Sequence, residues 1–182
     1  MKKHINDRLA LSVVATCVSF MMALPGFSQV NDVEIALHIP GLKGGTIVAG
    51  PYAGDVGLLS YSQTFSKNNN GTNCGAISIT KGVDATSTSF LFAAVTGLVV
   101  PTATIYFLTG TGPTTWVSNY TITLTNVVVT SISQGQTNIG AMGLTDNISL
   151  SAQKYQFAFA QPGNPTGNLQ TIGYDCLTQT TF

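Results

Sequence analysis

DATSTSFLFAAVTG, residues 84–97, is the stretch on which the fold turns. Phe90, Leu91, Ala94 and Val95 fall at helical spacing, Thr86 or Ser87 suits an N-cap, and Gly97 suits the position just past a helix end. The sequence around it keeps a period of two. VEIALHI (33–39) alternates Val33, Ile35, Leu37 and Ile39 with Glu34, Ala36 and His38. AISITKGV (76–83) repeats the pattern through Ile77 and Ile79, and YTITLTNVVVTSIS (120–133) puts Tyr120, Ile122, Leu124, Val128 and Ile132 on one face. LTDNISLSAQKYQFAFA (144–160) changes phase between Ala152 and Tyr155, as a bulge would make it do. Alternation rich in Thr, Val, Ile, Tyr and Phe predicts strands. The expected fold is mainly β, a single antiparallel β-barrel with one lateral α-helix at about residues 86–96. KNNNGTNCG (67–75) reads as a turn, and QPGNPTGN (161–168) as a loop before the closing GYDCL.

The N-terminus belongs to a different class of sequence. MKKHINDR carries Lys2, Lys3 and Arg8, an apolar run follows, and Pro25-Gly26 interrupts it before about 20 apolar residues accumulate. Gly26 and Ser28 then stand at −3 and −1 of a cut after Ser28. This is the pattern of a secretory signal peptide. Residues 1–28 are therefore expected to be a signal peptide and 29–182 a single domain, secreted or periplasmic, with no membrane segment after cleavage.

Beyond Ser28 the charge is thin. Lys43, Lys67, Lys81 and Lys154 are the only basic side chains apart from His38, and Glu34 with five aspartates supplies the acids. Scattered lysines cannot displace phosphate counterions, so nucleic-acid binding is excluded. One histidine and two cysteines are a poor supply of metal ligands, and no cofactor motif is present. Low net charge means little self-repulsion and permits self-association. Cys74 and Cys176, an exported pair, either form one disulfide or lie as two separate buried thiols.

Candidate chemistry is sparse. Ser151 and Lys154 match S-x-x-K, but at i and i+3 on a strand they point to opposite faces. GTGPTT (110–115) lacks the lysine and the helix that a phosphate loop needs and reads as a hairpin, with Trp116 beside it as a rim or interface aromatic. Glu34 and His38 share a face of their strand, yet four residues of extended chain separate their Cα atoms by about 13 Å. That is too far for an acid–base dyad, so the pair is expected to mark a subunit-contact face. With one histidine and no arginine in the domain, no enzyme is expected.

The order of these pieces carries more than any one of them. EIALHIPGLKG, LLSYSQ, ITKGVDATSTSFLFAAVTG, ATIYF, YTITLTNVVVTSIS, LTDNISLSAQKYQFAF and GYD follow the order of the haemolysin-coregulated protein (Hcp) family, and the chain resembles that family over nearly all of the expected domain. The resemblance implies a β-barrel with a lateral helix, a structural role without catalytic residues, six-membered rings that stack into a type VI secretion tube, and a lumen able to hold small effector proteins. Two features depart from it. Family tubes are assembled in the cytoplasm without a signal peptide, and the loop from Gly41 to Gly57 lacks the acidic, histidine-containing stretch common after the first turn. The expected function is an exported ring- or tube-forming homo-oligomer. The alternative is a monomeric exported module of the same fold that captures a protein or small ligand.

Overall fold

The computed structural model describes residues 33–42, 44, 51–69, 71–112, 115–136, 143–160 and 170–182. The chain divides into two units, Met1–Val30 and Asn31–Phe182, and every described residue belongs to the second. The expected signal peptide and the 161–168 loop lie outside the described residues.

Among the described residues, eleven strands and one helix follow in order. They are β1 (Val33–His38), β2 (Val56–Leu58), β3 (Ser60–Ser62), β4 (Phe65–Asn68), β5 (Gly71–Cys74), β6 (Ile77–Gly82), α1 (Ser87–Thr96), β7 (Val99–Gly112), β8 (Thr115–Gln136), β9 (Leu144–Phe159), β10 (Gln170–Asp175) and β11 (Thr180–Thr181). All pairings are antiparallel, and they run in a circuit. β2 pairs β1, β1 pairs β7, β7 pairs β8 and β8 pairs β9. β9 pairs β6, and β6 pairs β3. β2 and β3 are neighbours in sequence, joined by Leu59, whose N–H donates to the Thr80 carbonyl at 2.7 Å. The segment 56–62 thus bonds β1 at one end and β6 at the other, and so closes the barrel. β10 takes the edge of β9 that β6 leaves free: β6 pairs residues 145–150 and β10 pairs residues 154–159.

The interior is filled from every wall. Leu37, Ile77, Ile79, Ile105, Ile122, Leu124, Ile148, Leu150 and Tyr155 are almost fully buried in one cluster. The expected inward face of β8 holds for Ile122 and Leu124 but not for Val128. Val127 and Val129 are the buried residues there. The cause is Asn126, at φ 53°, a left-handed conformation that asparagine tolerates better than most residues. Its side-chain amide donates to Gln153 Oε1 on β9 at 2.7 Å. On β9 the buried set changes phase at the same place, from Ala152 to Tyr155, while the pairing runs on unshifted from Leu124↔Tyr155 to Val127↔Ala152. Both strands turn over together at a crease, where a bulge in β9 alone is the expectation from sequence. The register shift of this pair falls instead between Val129 and Ser131.

α1 forms where its pattern predicts and stops at Gly97, whose φ of 67° suits glycine and whose N–H caps the Ala93 carbonyl. Its start differs from expectation. Thr86 sits at the N-cap in a helical conformation and its side chain caps nothing. Asp84 supplies the cap instead, its Oδ1 accepting from the Thr86 N–H at 2.8 Å and from the Thr86 hydroxyl. The buried stripe is Ser87, Phe90 and Ala93, whereas Leu91, Phe92 and Val95 face outward.

A buried charge ties this helix to the barrel. Lys81 on β6 is fully buried and lies in register with Asp146 on β9, also fully buried. Its ammonium donates to Asp146 Oδ2 at 2.9 Å, Ser87 Oγ at 3.0 Å and the Gly82 carbonyl at 2.6 Å, and it pairs with Asp84 Oδ1 at 2.9 Å. The Ser87 hydroxyl donates to the same Asp146 oxygen, and Gln134 donates to the other at 2.9 Å. Burial raises both carboxyls, but hydrogen bonds from Ser87, Gln134 and Lys81 to Asp146, and from Thr86 and Lys81 to Asp84, outweigh it and hold both below the ordinary aspartate value.

The expected turn at 67–75 is part of a β4–β5 hairpin set off the main sheet. Cys74 and Cys176 are joined in a disulfide, Cα to Cα 6.2 Å, across a sequence separation of 102. Gln179 reinforces it like a short strand: its Oε1 accepts from the Thr72 N–H at 2.6 Å and its Nε2 donates to the Thr72 carbonyl at 3.0 Å. Beyond it, Phe182 pairs its backbone with Gly173, and the Phe182 ring occupies the space a side chain at Gly173 would need.

Two predictions follow from these ties. Lys81→Met leaves two carboxylates facing each other without their cation, and urea denaturation is expected to show a loss of about 3–5 kcal/mol. Because the folded carboxyls hold protons less tightly than unfolded ones, the stability they contribute is fully present above about pH 4 and is lost as pH falls through the lower folded values. Wild type should therefore lose more stability than Lys81→Met over that acid range. Separately, reduction of the disulfide is expected to raise amide exchange in β4 and β5 while β8 and β9 stay protected. Equal loosening of all four would mean that the disulfide holds the whole barrel.

Candidate functional site

Three surfaces gather the side chains that could meet a partner. On the outward face of β1, Glu34 and His38 flank Ala36, which is fully buried, so this face is covered at its centre. His38 has a partner the sequence did not suggest: its Nδ1 lies 2.8 Å from Asp55 Oδ1, with the His38 side chain 46% exposed and Asp55 buried. Tyr52 and Tyr106 meet beside them at a centroid distance of 5.0 Å. Burial raises the hydroxyl pKa of both, and the Asp55 charge adds to it. The only sequence signal was a lone acid in a glycine-rich loop, 17 residues beyond His38. The pair orients a surface imidazole. Glu34 does not share in it, and instead lines a cleft of about 380 Å³ with Val33, Leu59, Val83 and Asp84.

The second surface is the outer side of α1. Leu91, Phe92 and Val95 are exposed there, with Leu98 and Val99 following, and no charged residue lies within the helix. A helix that buries one side of a soluble barrel normally presents polar residues on the other. This one is apolar on both.

The third is the barrel mouth. α1 packs on β8, and Phe90 and Ala93 line a common space with Val127, Val129 and Leu150. Tyr120 lies seven residues back along β8, about 23 Å away if the strand were fully extended. There a cavity of about 680 Å³ opens between β3, the start of β4 and the ends of β8, β9 and β10. Its walls are aromatic. The Tyr61 ring meets Phe107 edge-on at 5.3 Å, Phe65 meets Tyr155 at 5.1 Å and Phe157 at 5.7 Å, and Tyr120 stacks on Phe157 at 6.4 Å.

The other candidates are absorbed by structure. Lys154 pairs with Asp175 at 3.2 Å and lies over the Phe182 ring, so its ammonium is committed away from Ser151. Trp116 stands half-buried opposite Gly110 at the β7–β8 hairpin and does not line the mouth. Among the described residues no three His, Cys, Asp or Glu side chains stand close enough together to hold a metal ion, and no helix is long and apolar enough to cross a membrane.

Comparison with known proteins agrees with this architecture. Residues 37–159 match the model of the family described as the type VI secretion system effector Hcp. Hcp1 of Salmonella typhimurium superposes with a TM-score of 0.68 at 17% identity, covering 82% of this chain and 99% of its own. A structure described as a type six secretion system protein gives 0.73 at 16% identity, covering 83% and 100%. A type VI secretion system effector from Yersinia pestis gives 0.63 at 14% identity, covering 79% and 99%. No curated protein matches the sequence. At these identities the superpositions speak for the fold, and the family match spans strands β2 to β9 and the helix packed on β8: the chain belongs to the Hcp family of type VI secretion.

Proposed function

We propose that this protein is a non-enzymatic structural subunit that is exported and assembles with copies of itself into a closed ring, six-membered as the family resemblance implies, whose rings can stack into a tube with room for small effector proteins. The observation that carries the reading is the outer face of α1. Leu91 is 49% exposed, Phe92 59% and Val95 74%, on a helix already anchored through Phe90 and Ala93. At about 25 cal/mol per Å² of apolar surface, covering such a face is a substantial driving force for association. The near absence of charge removes the repulsion that would oppose it. A ring also needs a second, different patch to receive the first, because a heterologous contact joins unlike surfaces. The cleft that holds Glu34 among Val33, Leu59 and Val83 is a candidate for that role, with His38 beyond it on the same face. Export rests on the basic and apolar N-terminus, and a disulfide suits an oxidising compartment. The open mouth is the feature that favours the second reading, a monomeric exported module that captures a ligand.

Negative-stain microscopy and light scattering of the purified protein test the ring. Six-membered rings are expected, and Phe92→Asp with Val95→Asp should yield monomers that melt like the parent, since both side chains are exposed. Glu34→Lys should weaken assembly as well. A monodisperse wild-type monomer at high concentration would sink the ring. Mass analysis of the exported form tests cleavage after Ser28, and an intact Met1 would count against export by this route.

A further inference from the structure

The β4–β5 hairpin is a unit apart from the barrel that carries it. β3 and β6 pair with each other in the main sheet, Ser60–Ser62 against Ser78–Thr80, and the hairpin is the excursion the chain makes between them. Gln63 and Thr64 lead into it, and Gly75 and Ala76 lead out. At its base the Gly75 N–H donates to the Thr64 carbonyl at 2.8 Å, an approach so close that a Cβ on residue 75 would strike that oxygen. The hairpin thus closes on itself, and its two strands form a sheet of their own. Such a two-stranded sheet is marginally stable in water. Every residue of β4 is exposed, so little apolar burial adds to it.

The contacts that hold this unit against the barrel differ in kind. Gln179 exchanges two hydrogen bonds with Thr72, but both are exposed and water competes for them. The Phe65 ring meets Tyr155 and Phe157 edge-on while staying 38% exposed. The Cys74–Cys176 bond is the covalent tie, and its far end is well seated: the Cys176 N–H donates to the Gln153 carbonyl of β9 at 2.8 Å. Both cysteines are half-buried and their neighbours Asn73 and Leu177 are exposed, so the bond lies at the edge of the core rather than within it. Beneath the Phe65 ring Tyr155 is fully buried, so the hairpin covers apolar surface that its departure would uncover.

We propose that the Cys74–Cys176 bond is a redox-sensitive lock and that the β4–β5 hairpin is the flap it holds. The flap is closed over Tyr155 and Phe157 while the bond is formed, and swings on its two short connectors once the bond is broken. Opening takes a dithiol, which gives up two electrons and two protons and becomes a disulfide, while Cys74 and Cys176 become thiols. The lock acts within one chain, so it stands whether that chain is a ring subunit or a monomer.

Trypsin reads the flap, because Lys67 is exposed within β4 while Lys81 is fully buried and Lys154 is paired with Asp175. The oxidised protein is compared with the same protein in dithiothreitol and with a Cys74→Ser, Cys176→Ser double variant. Cleavage after Lys67, followed by mass, is expected to run about tenfold or more faster in the last two, the equivalent of losing one good contact. Hydroxyl-radical labelling of Tyr155 and Phe157 should rise with it, amide exchange in β8 and β9 should not, and reoxidation should restore protection. If the double variant does not fold, the reduced parent decides. A bond that dithiothreitol cannot open without denaturant would overturn the lock. So would a reduced protein, both thiols confirmed by mass, in which Lys67 and Tyr155 stay as protected as before. Loosening of β8 and β9 to the same extent would show that the bond holds the whole barrel, and the flap would be wrong.

Discussion

A single ammonium group ties β6, β9 and the start of α1 together. A buried lysine costs several kcal/mol in lost hydration, and that cost is offset only when its protons all find acceptors in good geometry. Lys81 satisfies them with Asp146 from the facing strand, Asp84 from the helix cap, the Ser87 hydroxyl and its own neighbour's carbonyl. The geometry allows little slack. A slip of one residue between β6 and β9 would turn Lys81 away from Asp146 and put Thr80 or Gly82 inside, so the charge fixes the register of the seam. It also fixes where α1 begins, because Asp84 and Ser87 bind the ammonium from the loop and the first helical turn. That anchored start sets which residues of the helix face inward.

The placement of α1 then decides how the wall beside it is built. Phe90 and Ala93 face Val127, Val129 and Leu150 across a common space. The crease at Asn126 makes this possible: by turning β8 and β9 over together, it brings Val127 and Val129 to the inside beneath the helix, while Ile122 and Tyr155 still face inward further along. A bulge in one strand would have shifted the pairing and cost ladder hydrogen bonds. Further back along β8, the residues around the larger cavity are mostly aromatic, and the cavity opens to solvent.

Much of this was legible in the sequence because strand alternation and one helical interruption are local signals. The helix end at Gly97, the inward Ile77 and Ile79, and the phase change between Ala152 and Tyr155 could all be read from spacing. What escaped depended on contacts between distant residues. Val128 was placed inward because nothing marks Asn126 as left-handed except its partner Gln153, 27 positions on. The hairpin at 65–74 reads as a turn because β4 and β5 are polar and gain their stability from Cys176 and Gln179, a hundred residues away. Asp55 was one acid in a glycine-rich loop until folding brought it to His38. The mouth was invisible for the same reason: Tyr61, Tyr120 and Phe157 each look like ordinary core residues of their own strand, and only the pairing of distant strands brings them around one cavity.

The disulfide links redox conditions to the shape of that mouth. Gln63 and Phe65 stand on the segment leading into the β4–β5 hairpin, which is tied to the C-terminal turn by Cys74–Cys176 and by Gln179. The Phe65 ring meets Tyr155 and Phe157 from outside the main sheet, so its position depends on where the hairpin is held. In a reducing compartment the thiols would stay apart, and the exposed hydrogen bonds of Gln179 with Thr72 and the ring contacts of Phe65 would have to hold the wall against the entropy of a freer hairpin. In an oxidising compartment the covalent tie limits that freedom before any partner arrives. The wall around Phe65 is therefore fixed covalently only where the cysteine pair can oxidise.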